Sequence, residues 1–237
     1  MISIIIPLYN GIEYLDIAIN SVINQTYENW EVIIGINGHE KNSDIEKQAN
    51  EISKLDHKNR IKVLWFNEKG AQKTLNKLVK IAKYDYISLL DADDFWFKTK
   101  LEQQMKYIDK YDVIGTGCHY IGDKEGQINI PLGDLGNLSN LFWSNPLIHS
   151  SILMKKNDVN FSEKILYDYD LWFKLSILKN KKFFNVPKIL TFHRIHSESF
   201  FNGTNSDSLS DLKKYWKKRK KRYEYVKYIK NKIKINK

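Results

Sequence analysis

Four short apolar runs, spaced by stretches of helical pattern, constrain this chain more than any other feature. They lie at 3–9 (SIIIPLY), 30–35 (WEVIIG), 61–66 (IKVLWF) and 87–90 (ISLL). Each is rich in β-branched, Leu or aromatic residues and ends abruptly, as buried strands do. The first ends at Pro7, Tyr9 and Asn10, and from Gly11 an amphipathic helix follows, with Tyr14, Leu15, Ala18, Ile19, Val22 and Ile23 at helical spacing. AsnGly at 37–38 reads as a turn, Asn42 to Leu55 as a charged surface helix, and a third helix opens at Gly70 and runs to about Ala82. Strands alternating with helices of this length predict a parallel, doubly wound α/β sheet. Sheets of that kind bind ligands just beyond the carboxyl ends of their strands.

The fourth run leads straight into Asp91, Ala92, Asp93, Asp94, Phe95 and Trp96. Asp91 and Asp93 leave the strand end as an Asp-x-Asp pair. Packed carboxylates repel unless a cation sits between them, and oxygen ligands suit Mg²⁺ or Mn²⁺, whose shell substrate phosphates complete. The alternative reading is a helix N-terminus, where Asp is favoured as a cap and by the helix dipole.

Four strings, in this order and at this spacing, resemble the family 2 inverting glycosyltransferases, which have a GT-A fold: SIIIPLYN at 3–10, SVINQTYENWEVII at 21–34, NEKGAQKTLN at 67–76 and LLDADDFW at 89–96. The likeness continues through HSSILMKK (149–156), similar to the family's acceptor-side strand. LYDYDLWFKL (166–175) is similar to its Glu-Asp region, and FHRIHSES (192–199) to its Arg-x-His segment. The resemblance implies a GT-A doubly wound, mostly parallel sheet. A Rossmann-like nucleotide-sugar-binding half covers 1–97 and an acceptor-side half 98–205, followed by a basic amphipathic helical tail over 206–237.

The resemblance also implies roles. Pro7 and Tyr9 line the nucleoside pocket, and Asn76 faces the donor. Asp91 touches the ribose or sugar, and Asp93 holds the metal, Mn²⁺ or Mg²⁺, that bridges the diphosphate. Asp168 falls where the family places its catalytic base. Arg194 and His196 close over the diphosphate or the metal from the C-terminal side. The implied donor is a nucleotide sugar, a UDP-sugar first. The implied acceptor is a glycan or lipid-linked oligosaccharide of the kind built into bacterial surface polysaccharides.

The chemistry asks for the same groups. A departing nucleoside diphosphate gathers charge that a metal clamp stabilises, and an acceptor hydroxyl needs a base within hydrogen-bond reach. Retention by double displacement would need a second carboxylate as nucleophile. Asp168 and Asp170 are two residues apart and so do not share a helix face. The chain departs from the family pattern in three places. Ile36-Asn37-Gly38-His39 replaces an Asp-Asp-Gly-Ser string, and Asn37 keeps an acceptor oxygen for the uracil N3–H. Tyr167 stands where the family has Glu. Thr74-Leu75 stands where it often has Ala-Arg, with Lys73 as a substitute cation.

Other conspicuous residues have plainer readings. Trp96, Trp143 and Trp172 read as core aromatics before sugar platforms. His149 reads as a core or loop histidine before a ligand, Asp170 as a positioning group, and Gly133 to Asn140 as a surface loop, a candidate acceptor-side flap.

Charge matters chiefly at the C-terminus. The chain carries 38 Lys+Arg and 28 Asp+Glu, net +10, but residues 211–237 hold 13 basic and 2 acidic residues. The remainder is therefore near neutral. In that tail Leu212, Tyr215, Trp216, Tyr223, Val226, Ile229 and Ile233 recur near helical spacing between the basic residues. This pattern predicts an element lying on an anionic membrane surface. The neutral body offers no matching nucleic-acid groove. The single cysteine, Cys118, excludes an intrachain disulfide and a cysteine-built metal site and fits a reducing cytoplasm. The N-terminal apolar run is too short for a signal peptide, and nothing approaches the roughly 18 apolar residues of a spanning helix. The expectation is a cytoplasmic protein, peripheral at the inner face of the plasma membrane. Two other classes remain: a degenerate GT-A domain that binds nucleotide or glycan without transfer, and a nucleotidyltransferase. The latter would want a Gly-rich, basic phosphate loop after the first strand, and ProLeuTyrAsnGly is not one.

Overall fold

A computed structural model of the protein describes residues 1–136, 138, 144–163, 166–197, 209–221 and 224. The first half follows the expected alternation: β1 (Ile2–Leu8), α1 (Leu15–Ile23), β2 (Trp30–Asn37), α2 (Asp44–Ser53), β3 (Ile61–Phe66), α3 (Ala71–Ile81) and β4 (Tyr86–Leu89). The second half adds β5 (Phe95–Trp96), α4 (Lys100–Met105), β6 (Val113–Gly122), β7 (Gly126–Gln127), β8 (Gly133–Gly136), β9 (Leu153–Lys155), α5 (Tyr167–Phe173) and β10 (Phe183–Ile195). A last helix, α6, covers 209–221.

One sheet runs β3-β2-β1-β4-β9-β6-β10-β5, with β7 on β6 and β8 on β10. The β3, β2, β1 and β4 strands are parallel; β9 enters antiparallel between β4 and β6, and β6 and β10 are again parallel to each other. The mixed α/β sheet is thus wound in its first half as the sequence predicts.

The period-two pattern of β1 and β2 explains the layering. Ile5 and Ile33 face the core under α3, α5 and α6, whereas Ile4, Ile6, Leu8, Val32, Ile34 and Ile36 face α1 and α2. Strands buried on both faces have to be apolar at consecutive positions, which is why these runs show so little polar interruption. Gly35 lets α3 approach closely, since a Cβ there would lie 2.7 Å from Thr74 Cγ2. Leu75 lies fully inside this core. Lys73 lies exposed on the other side of α3.

Some local expectations change. Asn37 closes β2, and the turn begins at Gly38 (φ 75°), where a Cβ would meet the Tyr9 ring at 2.6 Å. Residues 133–136 of the expected surface loop form β8, paired antiparallel with β10, and Tyr111 Oη donates to Asp134 there. Trp96 and Trp172 are core residues: Trp96 donates to the Ser150 carbonyl, and Trp172 is wholly buried. Trp143 lies outside the described residues.

The C-terminal helix departs most from expectation. Leu212 and Trp216 are buried in the main core cluster rather than presented outward. Trp216 stacks on Phe173 of α5 with centroids 5.8 Å apart, and its Nε1–H donates to Asp170 Oδ1 at 2.8 Å. The described part of the tail is therefore integrated with the fold of the preceding residues. Its apolar face is spent on the core, leaving Lys214, Lys217, Lys218, Arg219, Lys220 and Lys221 exposed. Tyr223, Val226, Ile229 and Ile233 lie outside the described residues. No helix among the described residues is long and apolar enough to cross a membrane.

Candidate active site

The parallel strands end on a common edge, and the candidate site residues collect there from both halves of the chain. Asp91, Asp93 and Asp94 follow β4, and each carboxylate takes a different partner. Asp91 is held by Ser150: its N–H donates to Ser150 Oγ (3.0 Å), which donates in turn to Asp91 Oδ2 (2.9 Å). Asp93 Oδ2 lies 2.9 Å from His196 Nε2. Asp94 is buried and meets His193 Nδ1 through both oxygens (3.0 and 2.9 Å) while accepting the Arg194 N–H (2.8 Å).

These contacts fold the end of β10 back over the aspartate loop. Arg194 Nε donates to the Asp93 carbonyl at 3.1 Å, and its guanidinium lies 4.4 Å from the centre of the Tyr14 ring. The His196 ring tilts against the same tyrosine at 5.7 Å. The two-residue strand β5 makes this possible, since its pairing of Phe95 with Phe192 places His193 opposite Asp94. Neither Asp94 nor His193 carries a local signal of this pairing in the sequence, where Asp94 shows only as a third carboxylate.

Electrostatics favour a cation here. Burial, and then the charge of Asp91, push the Asp93 carboxyl above the usual range, against the opposing His196 bond and His193 charge. Burial alone would lower His193, but the Asp94 charge and hydrogen bond, with Asp91 and Asp93 behind them, raise it to about 9. Asp93 and His196 supply one carboxylate and one imidazole. Among the described residues no three His, Cys, Asp or Glu side chains converge as a complete metal-binding set. A pair of protein ligands suits an ion whose remaining shell comes from phosphates and water.

The third element is α5. Asp168, in its first turn, accepts from Asn145 Nδ2 at 3.3 Å. Burial, and to a lesser degree the Asp91 charge, push its carboxyl above the usual range, while His149, the Tyr169 N–H and Asn145 pull it down. Tyr167 is driven well above its usual value by burial and then by Asp91 and Asp168. The residues that lean on Asp168 thus include one from the β4 end and one from the 3₁₀ turn His149–Ser151. Asp170 points away, into its bond with Trp216.

Two expected ligand contacts take another form. Asn37 is buried and spends its amide between the Leu8 carbonyl (3.3 Å) and the Gly70 N–H (3.4 Å), so its side chain ties β1, β2 and α3 together rather than standing open to a base. Asn76, expected to face the donor, bonds the Phe161 carbonyl and N–H at 2.8 and 2.9 Å. It acts one step back: the Phe161 ring packs on His149 and Tyr167, with centroids 6.0 and 5.5 Å away. Pro7 lies at the carboxyl end of β1, and Tyr9 follows it, 54% exposed beside His39 with ring centroids 5.3 Å apart. Tyr9 is the open aromatic face at this edge.

Residues 3–201 match the family described as Glycosyl transferase family 2. The O-antigen biosynthesis glycosyltransferase WbnJ of Escherichia coli is 31% identical over 213 residues, covering 84% of this chain and 81% of that protein. Two uncharacterized glycosyltransferases of Rickettsia are 32% identical over 84% of the chain, which spans only 34% and 35% of their length. Among solved structures, Staphylococcus aureus TarS 1–349 in complex with UDP-GlcNAc aligns with a TM-score of 0.69 at 17% identity, over 89% of this chain and 64% of that one. A mannosyltransferase of Pyrobaculum calidifontis in complex with GDP-Man and Mn²⁺ aligns at 0.65 and 12% identity, over 85% and 59%. The family match covers both halves of the site, from the β1 edge to the His196 arm, and the chain belongs to glycosyl transferase family 2.

Proposed function

We propose that this chain transfers a sugar from a nucleotide sugar, a UDP-sugar first, to a hydroxyl of a glycan or lipid-linked glycan, with inversion and with Asp168 as the base. The observation that carries the reading is the placement of Asp168 in the first turn of α5, bonded to Asn145 and within the field of Asp91 and of His149, whose ring stands 3.7 Å from Asp91 Oδ1. A base there faces the edge where a nucleotide sugar lies in a doubly wound sheet.

Each residue has a defined task. Tyr9 offers an exposed ring for a nucleobase to stack on, beside Pro7. Asp91, oriented by Ser150, accepts a hydroxyl of the ribose or sugar. Arg194, held against Asp93 and Tyr14, brings a cation toward the diphosphate. Asp93 and His196 are the residues that would hold a divalent ion, Mn²⁺ or Mg²⁺, which when bound neutralises charge gathering on the departing diphosphate. Asp168 takes the acceptor proton. Its raised proton affinity makes it a stronger base than an exposed aspartate, and transfer is lost as pH falls through that raised value. Because Asp170 is turned into the core, α5 offers one carboxylate, as single displacement needs. The UDP-GlcNAc complex of the TarS fold relative and the O-antigen role of WbnJ support the donor and acceptor classes. An acceptor carried on a membrane lipid places the protein at the cytoplasmic membrane surface, with the basic face of α6 toward anionic headgroups.

The test is Asp168→Asn. It should bind UDP-sugar with Mn²⁺ as the unsubstituted protein does and lose transfer by roughly 10²–10⁴-fold, the usual worth of a general base. Near-normal turnover would place the base elsewhere.

A further inference from the structure

His149 opens the 3₁₀ turn His149–Ser151, beside Asp91 at the end of β4. Its side chain is 11% exposed, and among the described residues neither ring nitrogen has a hydrogen-bond partner. Nε2 lies 3.7 Å from Asp91 Oδ1, beyond hydrogen-bond range. The ring is walled by Tyr167 edge-on (5.7 Å) and Phe161 (6.0 Å), and it acts electrostatically on Asp168.

Its backbone is fixed on every side. Ser150, next in the chain, is locked to Asp91, and the Ser150 carbonyl accepts from Trp96 Nε1 at 2.7 Å. The Ser151 carbonyl accepts from Gln104 Nε2 at 2.8 Å, and the Ser151 hydroxyl donates to the Ile148 carbonyl at 2.7 Å. Beneath them Lys100, fully buried and with its proton affinity driven well down by that burial, bonds Gln104 Oε1 at 2.8 Å and lies 3.9 Å from the Trp96 ring centre. This buried layer holds the His149 imidazole in place with its nitrogens uncommitted. A preorganised polar group of that kind is suited to a ligand atom, because leaving it buried and unpaired is unfavourable. Trp30 and Trp172 also have unpartnered indole nitrogens among the described residues, but both lie within the hydrophobic cores.

The spacing from Asp91 suits a hydroxyl. A sugar hydroxyl can donate to a carboxylate while accepting from an imidazole N–H. With both bonds near 2.8 Å and a tetrahedral angle, the two protein atoms would stand about 4.6 Å apart, so the pair need open by only about 1 Å. We propose that His149 is a specificity-determining residue of the transferase: through Nε2, and together with Asp91, it grips one ring hydroxyl of the transferred sugar. This rests on the donor-site reading above, and it assigns to the sugar, rather than to the nucleotide or the acceptor, the contact that His149 makes.

The experiment is calorimetric titration of UDP, UDP-Glc, UDP-Gal and UDP-GlcNAc, each with Mn²⁺, into the full chain and into His149→Gln, His149→Asn and His149→Phe. Glutamine places its amide nitrogen near the position of Nε2, whereas asparagine mimics only Nδ1. The unsubstituted protein should bind one UDP-sugar better than the others. Asn and Phe should reduce affinity for that UDP-sugar about tenfold and flatten the preference, leaving UDP within about twofold, and Gln should keep most of it. Equal losses for UDP and UDP-sugar, or an unchanged sugar preference in the Asn and Phe variants, would overturn the inference while leaving the transferase reading intact. Equal behaviour of Gln and Asn would also overturn it, since a packing role does not distinguish the two nitrogens. Should Phe fail to fold, as judged by thermal unfolding, the Gln and Asn pair decides alone. If the unsubstituted protein bound none of these nucleotides, the proposed function would fall, and this inference with it.

Discussion

The His193–Asp94 pair lends itself to a quantitative test, because it joins the aspartate loop to the arm carrying Arg194 and His196. His193 is raised from 6.5 to about 9 in the fold, and its side chain is only 20% exposed. Each pKa unit corresponds to about 1.36 kcal/mol, so the protonated pair stabilises the native state by about 3 kcal/mol. Since the folded value lies above the unfolded one, the whole contribution is present below about pH 6.5 and is lost as pH rises through about 9. The perturbation is His193→Gln, which keeps a hydrogen-bond donor but cannot carry the charge. The assay is urea unfolding of both proteins in chelator at pH 6 and pH 10, so that changes common to both cancel in the difference. The variant should be less stable by about 3 kcal/mol more at pH 6 than at pH 10, or by melting temperature about 6–12 °C. A difference of equal size at both pH values would refute the reasoning, because it would mean that His193 carries no extra proton in the fold.

Three other outcomes follow from the geometry. Asp93→Ala should abolish the Mn²⁺-dependent part of UDP binding and the thermal shift that Mn²⁺ produces with UDP; unchanged UDP affinity with Mn²⁺ would remove Asp93 from the metal site. Trp216→Phe keeps the ring against Phe173 but deletes the donor to buried Asp170, and should cost about 1.5–3 kcal/mol in chemical denaturation, as for other bonds to charged groups. No loss would mean that Asp170 is satisfied without it. Reversing Lys217, Lys218 and Lys221 to Glu should leave the fold unchanged, as all three are exposed, yet lower co-sedimentation with phosphatidylglycerol vesicles, each basic residue being worth about 1 kcal/mol near such a surface. Equal binding of both proteins to the vesicles would remove that face from the membrane.

The strand–helix alternation was legible because local pattern alone decides it. β3 occupies the residues of its apolar run, 61–66, and α3 begins one residue after Gly70. The positions of the aspartate loop and of the α5 segment were legible as well, through short strings that resemble those of the family. Pairing across long sequence separations was not legible. Nothing local shows that Phe95 will pair with Phe192, so the bond between Asp94 and His193 had no signal in either segment. The carboxamides were ambiguous for a related reason. Asn37 and Asn76 can serve a ligand or a neighbouring backbone equally well, and only the finished packing decides which. In the C-terminal helix the spacing of Leu212 and Trp216 announced an apolar face correctly, but periodicity cannot say whether lipid or the protein's own core will cover it. His149 read as an ordinary core histidine because the absence of hydrogen-bond partners for its ring among the described residues is visible only in three dimensions.

The opposed orientations of Asp168 and Asp170 affect how inactive variants of this chain should be interpreted. A screen that neutralised both carboxylates in turn and scored product would find two losses and so suggest two catalytic groups. The two defects differ in kind. Asp168→Asn should remain inactive at any temperature that leaves the protein folded, whereas a variant at Asp170 loses the anchor of the last helix and should recover when the assay is cooled or a stabilising osmolyte is added. Activity measured at a single temperature would therefore confuse the proposed base with a residue that keeps the helix behind it docked. Repeating the screen ten or fifteen degrees lower would separate them.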